Sequence, residues 1–177
     1  MTGSPLLNAF HQSNAALLTY TVGGDPNKET SLEIFREIAQ SGADIIECGL
    51  GHGANIGDGG AIQDGTYRAL SNGIKTDDVF DIIKTLRDEF DTNVIIMTYQ
   101  NKIMSYGEDS FLSKCVESKV AGIICVDWPW PLNLNFAAKC KNNNIDFIQL
   151  LCPTTNEERL KLILNDAHDV VYYISML

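Results

Sequence analysis

Basic residues are scarce in this chain: its 177 residues hold 13 Lys and Arg against 23 Asp and Glu, for a formal net charge of −10. A nucleic-acid partner is disfavoured on that ground, because neutralising a phosphate backbone takes clustered cations. One phosphorylated small molecule is not excluded, since the amides of a helix N-terminus can hold a phosphate locally. No apolar run approaches the roughly 20 residues of a membrane span. No basic residue precedes the apolar part of MTGSPLLNAFHQSNAALLTY, so no secretory signal is expected, and the expected location is the cytoplasm. The five cysteines (Cys48, Cys115, Cys125, Cys140 and Cys152) are odd in number and lack C-x-x-C spacing. They read as reduced thiols, mostly in the core. His11, His52 and His168 share no metal-ligand spacing, and G-x-x-x-x-G-K-[ST] is absent. The pattern therefore calls for no metal and no nucleotide.

What is present is alternation. Short, almost wholly apolar runs are expected as strands at Leu17–Val22, Ala43–Leu50, Asn93–Tyr99, Ala121–Asp127, Asp146–Leu151 and Val170–Ser175. Runs such as DIIECGL and NVIIMTY fit parallel strands covered on both faces. Helical periodicity fills the gaps at Lys28–Gln40, Thr76–Phe90, Asp109–Ser118, Leu134–Asn142 and Asn156–Leu164, with Thr76 expected as an N-cap. With no linker or change of composition, 1–177 reads as one α/β domain with a parallel sheet. Length alone favours an open doubly wound sheet, since a (β/α)₈ barrel typically takes about 250 residues. The strand ends favour the barrel: Glu47, Tyr99, Asn101, Asp127 and Thr154 collect where barrel enzymes place their chemistry.

Glu47 lies between Ile46 and Cys48 in a run expected to be buried. Such a carboxylate is either tied structurally to an amide or a lysine, or left with a raised pKa suited to proton transfer; the second reading is the sharper. Asp58, in the loop GLGHGANIGDGG, is either a turn residue or the second member of an acid–base pair. Gly49-x-Gly51-x-Gly53 lacks the context of a dinucleotide fingerprint, because no helix is expected at its third glycine. His52 reads as a loop histidine. Lys102 reads as a surface lysine rather than a Schiff-base lysine.

TVGGDP (21–26), SGADIIECG (41–49) and DGGAIQ (58–63), followed by RAL (68–70), YQN (99–101), DWP (127–129), CPTT (152–155) and YYIS (172–175), occur in this order. Together they resemble the tryptophan synthase alpha subunit over nearly the whole chain. The resemblance implies a (β/α)₈ TIM barrel, of which this chain presents about six of the eight units. It also implies a lyase that cleaves indole-3-glycerol phosphate to indole and glyceraldehyde 3-phosphate without a cofactor, and that passes indole to a beta subunit in an alpha2-beta2 tetramer. On this resemblance Glu47 matches the family's proton-shuttling glutamate and Asp58 the aspartate facing the indole N–H. Tyr20, Met97, Ile124, Val126, Leu151 and Tyr172 fall at its pocket-lining positions.

Two departures accompany the likeness. The family's P-F-S-D-P-x-A-D-G-P loop is here GHGANIGDGG (51–60), which keeps Asp58 but replaces the prolines, aromatic and first acid. Glycines there imply a less preorganised Asp58 and an altered contact with a beta subunit. The likeness also stops at Leu177, ahead of the family's S-R-x-G-x-T-G phosphate segment, which implies open edges at the first and sixth strands and little phosphate binding. The alternatives are a catalytically inactive relative acting as a binding or interaction module, and another phosphosugar lyase or isomerase on a similar barrel.

Overall fold

A computed structural model describes residues 4–11 and 15–175; Leu177 and the His11 side chain lie outside the described residues. The chain runs α1 (Pro5–His11), β1 (Leu18–Val22), α2 (Lys28–Gln40), β2 (Ile45–Gly49), α3 (Gly60–Ser71), α4 (Thr76–Glu89) and β3 (Asn93–Thr98). It continues through α5 (Gln100–Tyr106), α6 (Glu108–Glu117), β4 (Gly122–Cys125), α7 (Leu134–Asn142), β5 (Asp146–Phe147), β6 (Gln149–Leu151), α8 (Glu157–Asp166) and β7 (Val171–Tyr173). The expected fifth strand is two pieces, β5 and β6, interrupted at Ile148.

All pairings are parallel, in the order β1-β2-β3-β4-β5, with β6-β7 as a second short sheet. Consecutive order separates a barrel from a doubly wound sheet, which reverses direction at a switch point and carries helices on both faces. Here the pleat sorts side chains between two clusters. Ile46, Cys48, Val94, Ile96, Ile123 and Cys125 face the helices, meeting Phe35, Val79, Ile83 and Phe111. Ile45, Ile95, Ile124 and Ile148 face the other way, against Leu18, Met97, Val126 and Leu150, with Leu6 and Ala9 of α1 closing that cluster. All five cysteines are free, and four are buried.

The helices follow their sequence periods. Helix α2 opens at Asn27, whose side chain accepts the Thr30 N–H, and buries Ser31, Phe35 and Ala39 four residues apart. Helix α4 buries Val79, Ile82, Ile83 and Leu86. Its start corrects the expectation for Thr76, which is the first helical residue; the cap is Lys75, whose N–H is accepted by the Asp78 carboxylate at 3.0 Å. The acid three residues in, rather than the threonine hydroxyl, satisfies the terminus. The turn at 23–26 is locked to α3: Arg68 donates through Nε and Nη2 to both Asp25 oxygens at 2.9 and 2.7 Å, and Asn72 donates to the Pro26 carbonyl.

Candidate active site

Registry sets the site. Tyr20 of β1 lies beside Glu47 of β2, and Glu47 beside Ile95 of β3. One rung higher stand Val22, Gly49, Met97 and Ile124. Leu150 pairs with Tyr172 on the far side. Because the pleat repeats every second residue, these groups share the inner face. Glycine at 49 is required by this packing: a β-carbon there would collide with the hydroxyl and ring of Tyr20. The E-x-G pattern thus sets a carboxylate under a tyrosine that leans over the missing side chain.

Glu47 is 6% exposed. Among the described residues no basic side chain pairs with it and no hydrogen bond reaches its carboxylate. Burial, and then the negative charge of Asp58, push its pKa up to about 7. The same crowding raises the Tyr20 hydroxyl, through burial first and then through Asp58, Cys48 and Glu47. Tyr172 is raised by burial and by Glu47. These interactions place Glu47, Asp58, Tyr20 and Tyr172 in one electrostatic neighbourhood.

Asp58 comes from the long loop between β2 and α3, half-buried where neighbouring Ile56 is 90% exposed. The loop is tied to the site by Tyr99, at the end of β3. The Tyr99 hydroxyl accepts the Gly57 N–H at 3.1 Å, and the negative charge of Asp58 adds to burial in raising the Tyr99 pKa. The His52 ring packs on Tyr99 with centroids 5.2 Å apart. Gln63, the last residue of DGGAIQ, donates to the Asp58 carbonyl at 2.8 Å, and the Asp58 N–H reaches the Asn55 carbonyl. Tyr99 and Gln63 are the residues that sequence reasoning passed over as anchors. Their signal was their place in the YQN and DGGAIQ runs.

The other strand-end residues sort by role. Asp127 accepts the Gln100 N–H at 2.6 Å and so caps α5. Trp128 stacks on Phe136 and fixes the 127–133 loop, donating to the Leu132 carbonyl. Asn101 and Thr154 are exposed; Thr154 meets the Cys152 thiol. Met97, Ile124 and Val126 belong to the inner cluster. Leu151 pairs with Tyr173, one position along from the Leu150–Tyr172 pair. It lines a cavity of about 200 Å³ together with Val126, Leu150, Trp128, Phe147 and Ile163. Lys102 lies in a crevice with Leu50, Leu70 and Ile74, its pKa lowered by burial, and it makes no pair with Glu47. The helix after the glycine loop begins only at Gly60, which is inconsistent with a dinucleotide fingerprint. Among the described residues, the three groups close enough to share a metal ion are Asp146, His168 and Asp169, at the opposite end of the strands.

The family model of the tryptophan synthase alpha chain matches residues 6–177. A tryptophan synthase alpha chain from Pelagibacter ubique (strain HTCC1062) is 51% identical over 167 residues, covering 94% of this chain and 63% of its own length. One from Petrotoga mobilis is 36% identical, covering 97% of this chain and 66% of its own length. Tryptophan synthase from Mycobacterium tuberculosis superposes with a TM-score of 0.93 at 26% identity, over 99% of this chain and 70% of that one. The tryptophan synthase complex from Pyrococcus furiosus gives 0.84 at 35% identity, over 90% and 66%. This chain thus spans just under two thirds of the length of the curated relatives it matches. It presents the first six strand positions of a TIM barrel, and it belongs to the tryptophan synthase alpha chain family.

Proposed function

We propose that this chain carries the acid–base centre of an indole-3-glycerol-phosphate lyase, the alpha reaction of tryptophan synthesis. The observation that carries the reading is Glu47: a buried, unpaired carboxyl held near neutrality, next to a second carboxylate from a separate loop. A group with a pKa near the working pH is populated in both protonation states and can give and take a proton in one cycle. Asp58, half-exposed on its tethered loop, supplies the standing negative charge.

The roles follow from the bonds that must change. Glu47 in its acid form protonates indole C3, and the positive charge that develops on the ring spreads to the indole N–H, which Asp58 stabilises as a hydrogen-bond acceptor. Glu47, now a carboxylate, takes the proton from the glycerol hydroxyl adjacent to the breaking bond. The O–H electrons form the aldehyde, the C–C bond electrons return to the ring, and indole and glyceraldehyde 3-phosphate part. One proton is given and one recovered, so no redox partner or cofactor enters. Met97, Ile124, Leu150 and Tyr172 offer the apolar wall for the flat ring. The partner by family likeness is a tryptophan synthase beta subunit, which receives the indole.

The test is indole release from indole-3-glycerol phosphate with and without the beta subunit. Glu47→Gln should lower turnover about 10³-fold, within the usual range for removing a general acid–base. Unchanged release in that variant would overturn the assignment. An absence of release in the unmodified protein, with ligand or subunit binding kept, would establish the inactive binding module instead.

A further inference from the structure

The proposed chemistry leaves the opposite, N-terminal ends of the strands without a role, yet a cluster of chemically capable groups converges there. Asp146 opens β5 and is 0% exposed. His168 and Asp169 stand in the turn between α8 and β7. His168 Nδ1 lies 2.8 Å from Asp146 Oδ1, and Nε2 lies 3.7 Å from Asp169 Oδ2. The Asp169 N–H donates to Asp146 Oδ1 at 3.2 Å, and the Ser4 N–H, ahead of α1, donates to Asp169 Oδ2.

Two buried atoms in this cluster have no hydrogen-bond partner, Asp146 Oδ2 and His168 Nδ1. The second is the more informative. Nδ1 is within 2.8 Å of a carboxylate oxygen, yet the two do not meet the geometry of a hydrogen bond. Groups in a hydrogen-bonded ion pair aim at each other; ligands of one cation aim at a common point between them. One donor atom from each of Asp146, His168 and Asp169 falls within 4.8 Å of the other two, a spacing at which a single ion can lie among them. A buried carboxylate oxygen without a proton donor also needs a compensating positive charge.

We propose that Asp146, His168 and Asp169 form a binding site for a divalent cation of the zinc class, with water completing a four-coordinate shell. One imidazole and two carboxylates suit zinc or cobalt better than calcium or magnesium, which take oxygen ligands in larger number. The location fits a structural role. An ion there joins the start of β5 to the entry of β7, two strands that fall in separate hydrogen-bonded sheets. Through Asp169 it also reaches the segment leading into α1. Residues at this face of a barrel serve stability rather than catalysis.

The test uses the metal-stripped chain, titrated with Zn²⁺ by calorimetry and with Co²⁺ by visible absorption. One equivalent per chain is expected, with a Co²⁺ band of tetrahedral intensity. The melting temperature should rise by roughly 5 °C at Zn²⁺ a hundredfold above its Kd. Affinity should fall at least tenfold in His168→Gln and, independently, in Asp169→Asn. The second variant changes a partly exposed side chain, so it decides the matter if the first does not fold. Absence of a stoichiometric site, or a site whose affinity both folded variants retain, would overturn the proposal.

Discussion

Strand β2 and the glycine-rich loop that leaves it each supply one carboxylate, and they fix it by opposite means. Glu47 is held by the sheet, flanked in register by Tyr20 and Ile95, and its chemistry is set by exclusion of water. Asp58 stands in a segment with five glycines between 51 and 60, held by the Tyr99 hydroxyl at the Gly57 N–H and by Gln63 at the Asp58 carbonyl. A strand residue is positioned by everything its backbone touches. A loop residue is positioned by the few side chains that reach it. The loop of this chain differs from the family's usual proline- and aromatic-containing form, but the anchors lie outside it, on β3 and α3. Sequence divergence inside a loop and loss of its geometry are therefore separable.

Four substitutions sharpen the contrast, in falling order of effect. The largest concerns the cost of burying Glu47. Its folded pKa is raised above the ordinary value of 4.5, so its contribution to stability is fully present below pH 4.5 and is lost as pH rises through about 7. Glu47→Gln escapes that loss. Urea denaturation should find the variant about 3 kcal/mol more stable than the parent at pH 8, with the difference gone at pH 4.5. An equal gain at both pH values would trace the effect to packing. Next, Gly49→Ala forces a methyl into the Tyr20 hydroxyl and should cost about 2 kcal/mol, lowering the denaturation midpoint at constant slope.

Tyr99→Phe removes the hydroxyl that holds the Gly57 N–H, next to Asp58. The expected loss is about 1 kcal/mol, with faster amide exchange at Gly57 and no change in the exchange of β2. If β2 loosens as well, strand and loop are not independent. The smallest effect belongs to Gly53→Ala. An added β-carbon meets nothing within 4 Å, and the backbone lies outside the left-handed region. A gain of about 0.5 kcal/mol is expected from a stiffer unfolded chain. Gly49 and Gly53, four residues apart, thus respond with opposite sign.

Much of this arrangement was legible in the sequence, and the misses have physical causes. Helices α2 and α7 begin and end where their apolar periods do. Helices α1 and α5 are seven residues each, too short to display a period, and are stabilised by tertiary contacts of Leu6, Ala9 and Ile103. The fifth strand looked continuous because Ile148 is apolar, so nothing in the residue pattern marked the break between β5 and β6. Glu47 was readable because a carboxylate in an apolar run is conspicuous. Asp146 begins such a run and His168 sits in a polar turn; 22 residues and a helix separate them, and only adjacent strand positions bring them together.

The proton shuttle requires a Glu47 carboxyl that is protonated near neutral pH. A carbon-13 NMR titration of side-chain-labelled glutamate, assigned by comparison with Glu47→Gln, reads that state directly in the folded chain. The expected result is a glutamate titrating near pH 7, about 2.5 units above the ordinary value of 4.5, with its midpoint drawn partway down in Asp58→Asn. A Glu47 resonance that titrates near 4.5 would mean a solvated or paired carboxylate, and would contradict both the burial argument and the proton shuttle built on it.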